Sequence, residues 1–412
     1  MRFRPSISAC TLALIAACGG SFAQPGRVEV ANPYADVDWP TFSHYRADLH
    51  VHTLQSDGCH SVSEVVKTFH DLGFAILSIT DHDIMAPNAC PLLEAATRAQ
   101  IDFGAYATER TPYPDPRPPT YPADPTWPWT GYGAPSPSEL GMLGIEGAEL
   151  TCTYHVNSFF SDYGVAPPCK GGVDIDVDKE LVEVARREGL AVLNHPDTRQ
   201  PADWFAKLYR EHPAESFVGI EIASDDPATA DSYLVLWDQL LGELMPSRPV
   251  WGFGTSDTHI LARTRFAFTV FVLRELTTQS VKDAMRRGQF YSVVQPKMLN
   301  LSRGRGLPFA GREAYDGKYP TLRSIVVDRD ARRITIDATG YDEIVWISRR
   351  SPRDGNAPTG APWPSGEVVQ RGPVFDFSSR DSALTYVRAE VIRHTDDGPV
   401  RVLLNPFALA RR

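Results

Sequence analysis

The chain has 412 residues, of which 42% are hydrophobic and 22% charged. These are ordinary globular values with room for two domains, and they exclude a disordered polymer. The net charge of −10, with no run of clustered Lys and Arg, argues against a nucleic-acid partner, because tracking phosphates needs a basic surface.

Arg2 and Arg4 precede a mostly apolar run from Ile7 to Ala17, and Ser21-Phe22-Ala23 offers small residues for cleavage before Gln24. Residues 1–23 therefore read as a signal peptide. The run is too short to span a bilayer, so no membrane span is expected. Ile15-Ala16-Ala17-Cys18 supports an alternative, a lipoprotein box that would leave lipid on Cys18. The first form is secreted or periplasmic; the second is a membrane-anchored lipoprotein outside the cytoplasm.

Six cysteines are present, and Cys10 and Cys18 belong to the leader. Cys59, Cys90, Cys152 and Cys169 remain for an oxidising compartment, where an even number favours disulfides. The favoured pairing joins Cys59 with Cys90 and Cys152 with Cys169, each stapling a loop that follows a candidate metal motif. Isolated buried thiols are the alternative.

After a linker at 24–44, short apolar strands alternate with helical stretches. The strands include Phe74 to Ile79, Leu190 to Leu193, Val218 to Ile222 and Val250 to Phe253. The helices include Ser63 to Leu72, opened by a capping-type Ser, and Lys179 to Glu188. The alternation predicts an α/β barrel or doubly wound sheet spanning 45–296, with its chemistry at the C-terminal ends of the strands. A Pro- and aromatic-rich insert at 103–144 interrupts it, carrying Tyr113, Tyr121, Trp127, Trp129 and Tyr132 among prolines that no helix survives. Such an insert serves as a lid over the site or as a structural strap. Beyond Pro296 the alternating patterns of Ser324 to Asp328, Arg333 to Asp337, Glu343 to Ile347 and Thr385 to Val391 predict a small antiparallel β domain at 297–412.

The candidate ligands recur through the first domain. DLHVHTLQSDG places His50 and His52 two positions apart, on one face of an extended strand, with Asp57 following. ITDHD places His82 just past a strand; GIEGAELTCTYH supplies Glu146, Glu149 and His155; NHPD supplies His195; and TSDTH supplies Asp257 and His259. One such histidine is more often structural, but repeated hits at the same end of successive strands reverse that balance. Imidazoles with a few carboxylates and no obligatory thiolate suit Zn, Mn or Fe. Two or three ions about 3.5 to 4 Å apart, bridged by Glu149, would do hydrolytic chemistry on a small-molecule ester.

These motifs, in this order from Tyr45 to Val294, resemble the polymerase and histidinol phosphatase (PHP) family of metal-dependent hydrolases. The resemblance implies a distorted (β/α)7 barrel with up to three ions at its C-terminal face. It implies a first ion on His50, His52, Glu149 and Asp257, a second on Glu149, His155 and His195, and a third on Asp57, His82 and His259. Asp257, Glu149 and His195 are then the catalytic residues. GAELT fits the family pattern better than Glu146, which is left structural, while Asp81 and Asp83 are expected to orient His82 or neighbouring loops. TYHVNSFF, VKDAMRRGQFYSVVQP, YVRAEV and NPFAL resemble more specifically a secreted carbaryl-hydrolase-like branch.

Two substrate classes follow. Phosphoester hydrolysis is the commoner family activity, with Arg199, Arg263 and Arg265 near the motifs as phosphate clamps. The branch resemblance implies carbamate or carboxyl ester hydrolysis instead. A non-catalytic, metal-stabilised binding module is the third reading, and the full ligand set argues against it.

Overall fold

The first helix shows how locally this sequence directs its own folding. In the computed structural model, which describes residues 28–83, 125–151, 154–164, 176–196, 200–224, 227–261, 267–296, 316–349, 366–378 and 384–411, α1 spans Val62–Asp71. Its cap is Ser61, ahead of the Ser63 start expected from sequence, because Ser61 has Glu64 three residues on. Ser61 Oγ accepts from the Glu64 N–H and the Glu64 carboxylate accepts from the Ser61 N–H. Val62, Val65, Val66 and Phe69 make the buried face.

The strands of the first part are β1 (Val28–Ala31), β2 (Ser43–Asp48), β3 (Ile76–Ile79), β4 (Leu143–Leu150), β5 (Val156–Phe159), β6 (Leu190–Leu193), β7 (Phe217–Ala223), β8 (Trp251–Gly254), β9 (Ala267–Leu273) and β10 (Phe290–Val294). Helices α2 (Val177–Arg186), α3 (Ala202–Glu211), α4 (Pro227–Leu244) and α5 (Thr278–Arg287) lie between them. The sheet runs β10-β9-β2-β3-β4-β5-β6-β7-β8. The pairs β2–β3, β3–β4, β6–β7 and β7–β8 are parallel, as the strand-helix alternation predicts.

The sheet is nevertheless mixed, since β5 lies antiparallel to both β4 and β6, and β9 antiparallel to both β2 and β10. Between β4 and β5 only residues 151–155 intervene, too few for a parallel crossover, so the chain must reverse. Nor does a ladder close the expected (β/α)7 barrel among the described residues, where β8 pairs with β7 alone. The two ends meet instead through side chains and one bridge. Gly254 N–H donates to Ser292 Oγ, Thr269 Oγ1 donates to the Gly254 carbonyl, and Val51 bridges Thr258.

The C-terminal part is antiparallel β, but most of its strands continue the main sheet rather than forming the separate small domain expected. Its strands are β11 (Thr321–Asp328), β12 (Arg333–Thr339), β13 (Glu343–Ser348), β14 (Glu367–Arg371), β15 (Val374–Asp376), β16 (Tyr386–Thr395), β17 (Gly398–Leu404) and β18 (Phe407–Arg411). β11, β12 and β15 form a separate sheet, whereas β17 pairs with β10 and extends the main one. The stretch expected as a linker at 24–44 is folded where described: β1 pairs with β18, and buried Tyr34 donates its hydroxyl to the Phe290 carbonyl. Of the four body cysteines only Cys59 is described, so both expected pairings fall outside the described residues.

The described end of the Pro/aromatic insert behaves as a strap. Trp129 and Tyr132 are buried in the same apolar cluster as the core face of α1, and Trp127 packs edge-on against Trp129. Residues 103–124 of the insert lie outside the described residues. No helix among the described residues is long and apolar enough to cross a membrane.

Candidate metal centre

Every candidate ligand arrives at one rim. His50 and His52 follow β2 on extended backbone with Val51 buried between them, so both imidazoles share a face, with their Nε2 atoms 3.1 Å apart. His82 follows β3, Glu149 ends β4, His195 follows β6, and Asp257 and His259 follow β8. His155 instead precedes β5. It reaches the same rim because β5 runs the other way, so its starting end lies beside the finishing ends of β4 and β6.

Glu149 is the hub. Its Oε2 lies 3.3 Å from both His50 Nε2 and His52 Nε2 and 3.0 Å from His82 Nδ1. Its Oε1 lies 3.0 Å from both His155 Nδ1 and His195 Nε2, and accepts from the Asn194 amide at 2.8 Å. Asp257 Oδ1 stands 3.3 Å from His50 Nε2 and 3.1 Å from His52 Nε2. Asp57 approaches His259 Nε2 at 3.2 Å and His82 Nε2 at 3.6 Å.

The nine residues fall into overlapping donor groups. These are His50, His52 and Glu149; His50, His195 and Asp257; His82, Glu149 and His155; and His52, Asp57, His82 and His259. His195 thus stands with Asp257 and His50 as well as beside Glu149, and His52 joins the group around Asp57. Glu146 is in none of them. It lies three residues before Glu149 on β4 and so points to the opposite face. Arg199, Arg263 and Arg265 lie outside the described residues.

Electrostatics bind the cluster. Burial alone would lower the His50 imidazole, but Asp257, Glu149 and Glu221 outweigh it and hold it well above its ordinary range. The same contest, burial against the carboxylates, lifts His52 to about 10 and His195 to about 9. Burial would raise Glu149 and Asp257, yet the surrounding imidazoles hold both far below the usual carboxylate range. Glu149 Oε2, Asp257 Oδ1 and His82 Nδ1 are buried and make no well-aligned hydrogen bond, although an imidazole nitrogen or carboxylate oxygen stands 3.0 to 3.3 Å from each. Imidazole nitrogens and carboxylate oxygens that lie within 4.8 Å of one another in each group fit divalent cations, which would displace the imidazole protons.

Asp81 accepts from Thr53 N–H at 2.6 Å, Thr53 Oγ1 at 2.6 Å, Ser56 Oγ at 2.7 Å and Thr126 Oγ1 at 2.7 Å, pinning the turn that carries Asp57 to the strap. Asp83 accepts from Thr151 N–H and Oγ1 beyond Glu149. Both therefore hold neighbouring loops, one of the two roles expected of them. Sequence reasoning gave no role to Glu221 or Asn194, and counted Asp48 among the potential ligands of DLHVHTLQSDG without keeping it in the ligand set. Asp48 Oδ1 accepts from the His50 and Ser256 N–H groups under the site, and burial pushes its carboxyl up to about 7. The available signal for Glu221 was a lone charge inside the apolar strand FVGIEIA, every residue of which is buried.

Two backbone torsions mark the same place. Asp257 has φ 45° and His195 φ 20°, unusual for residues with a Cβ. Strain of this kind persists only where surrounding contacts enforce it, and it concentrates at functional sites.

No protein-family model matches the chain, and no curated protein matches it. Solved structures similar to it include a two-domain protein from Bacteroides vulgatus containing a predicted PHP-like metal-dependent phosphoesterase. That match has 15% identity over 93% of this chain and 99% of the other, with a TM-score of 0.39. A second is a putative metal-dependent phosphoesterase from Bifidobacterium adolescentis, at 14% identity, 59% and 96% coverage and a TM-score of 0.32. A third is a lesion-specific endonuclease from Pyrococcus furiosus, at 11% identity, 59% and 56% coverage and a TM-score of 0.32.

Proposed function

We propose that the protein is a metal-dependent hydrolase of phosphoester bonds. The observation that supports this reading is the convergence of nine imidazole and carboxylate side chains, with buried oxygens of Glu149 and Asp257 at its centre. Zn, Mn or Fe ions held there would supply Lewis acidity and lower the pKa of a water nucleophile. His50, His52 and Glu149 are buried and form the floor. His155, His259 and His195, with side chains 32%, 27% and 23% exposed, form the open side from which an ester approaches. In this reading Glu149, which belongs to two of the donor groups, would help hold the ions, Asp257 would orient the nucleophile, and His195 would face the reacting group. The reading of residues 1–23 as a signal peptide points further to export to the periplasm or medium, with lipidation at Cys18 as the alternative that the mass of the mature N-terminus resolves.

The test is hydrolysis by the purified mature protein, stripped of metal and then supplied with Mn or Zn. The substrates are p-nitrophenyl phosphate, bis-p-nitrophenyl phosphate, naphthyl acetate and a naphthyl carbamate. Metal-dependent preference for the phosphates is the expected result. Preference for the naphthyl substrates would overturn the phosphoesterase assignment in favour of the carbamate or carboxyl ester reading. No metal-dependent turnover on any of the four would favour a binding module.

A further inference from the structure

Beneath the cluster lies a carboxylate that touches no open surface and that the nine-ligand set does not include. Glu221, in the middle of β7, is fully buried. Its Oε1 sits 2.7 Å from His50 Nδ1 and accepts from Thr255 Oγ1 at 2.7 Å, while its Oε2 accepts from the His195 backbone N–H at 2.6 Å. Among the described residues its ion-pair partner is His50.

An ionised carboxylate only accepts hydrogen bonds. The contact therefore keeps a proton of His50 on Nδ1, so the proton that an ion would displace is the one on Nε2, which faces Glu149 and Asp257. The second oxygen acts on backbone: it holds the His195 N–H in the strained torsion that aims this imidazole back into the cluster. One side chain thus fixes both histidines of the group His50, His195 and Asp257, whose two rings stack with centroids 5.7 Å apart. A buried carboxylate with no Lys or Arg paired to it among the described residues is costly to maintain unless a cation compensates it nearby.

We infer that Glu221 is a positioning residue that orients His50 and His195 together toward Asp257 and thereby sets the affinity of the divalent ion this group holds. The inference rests on the metal-dependent hydrolase reading and deepens it. Carboxylates behind metal-ligating imidazoles fix tautomer and ring orientation, and their loss costs about 10- to 100-fold in metal affinity. Glu221→Gln keeps the shape but leaves one acceptor oxygen where two are needed, so it cannot satisfy both the His50–Thr255 side and the His195 N–H.

The experiment is calorimetric titration of metal-free wild-type and Glu221→Gln protein with Mn2+, paired with turnover of bis-p-nitrophenyl phosphate across Mn2+ concentration. The expected result is an affinity about 10- to 100-fold weaker in the variant, with half-maximal activity moving to higher Mn2+ by the same factor and saturating Mn2+ restoring most of kcat. A purely structural role would lower kcat at every Mn2+ concentration without that shift, and would overturn the inference. Thr255→Val removes one of the donors to Glu221, and a smaller shift in the same direction is expected; it decides the matter if Glu221→Gln does not fold. Wild-type protein that binds Mn2+ alongside variants of unchanged affinity overturns this inference alone. Wild-type protein that binds none overturns the hydrolase reading with it.

Discussion

Glu149→Gln is the most informative single change, because it removes one charge from the centre of the site while keeping its shape. Five imidazoles face the carboxylate at 3.0 to 3.3 Å. An opposite charge at such range raises an imidazole pKa by roughly 1 to 3 units. In the metal-free variant His50, His52 and His195 therefore titrate lower by about that amount, read by NMR of the ring protons. The cost to ion binding follows from the same contacts. Breaking a buried charge interaction costs about 3 to 5 kcal/mol, which at 1.4 kcal/mol per decade is about 10²-fold or more in affinity. Glu149 belongs to two of the four donor groups, so bound metal after gel filtration falls below the wild-type complement. Turnover of bis-p-nitrophenyl phosphate falls at least as far. A variant that keeps its full metal content and wild-type turnover would refute the proposal that Glu149 helps hold the ions.

The other predictions concern charge, protons and packing. Asp257→Ala removes the oxygen facing His50 and His52 and abolishes turnover while circular dichroism stays native; retained turnover would sink its place among the ligands. His52 and His195 titrate at about 10 and 9 in the metal-free fold, above the unfolded value of about 6.5. Their contribution to stability is therefore complete below about pH 6.5 and is lost as pH rises through 9 to 10. Ions compete with those protons, so Mn2+ affinity climbs over the same window, and a calorimetric affinity independent of pH would contradict this. Trp129→Ala empties a buried strap position at a cost of about 3 to 5 kcal/mol and lowers the melting temperature. Turnover per folded molecule is unaffected; a fall in kcat/KM without a change in melting would instead make the insert a lid.

Local periodicity carried the parts of this protein that the sequence alone determined. His50 and His52 share a face because an extended backbone alternates sides. The Ser61–Glu64 pair starts α1 through contacts three residues apart, and the exposed-buried alternation of β12 places Ile334 and Ile336 inside. Each depends on neighbours within one turn or one strand, so no knowledge of distant residues is needed. The orientation of β5, which brings His155 to the ligand rim, depends instead on which strand ends face one another after the chain reverses. The pairing of β17 with β10, the burial of Trp129 against α1, and the convergence of Glu221 on His50 and His195 likewise join residues far apart in sequence. Tertiary structure decided these, because partner choice and the charge environment of a buried carboxylate come from what packs around it.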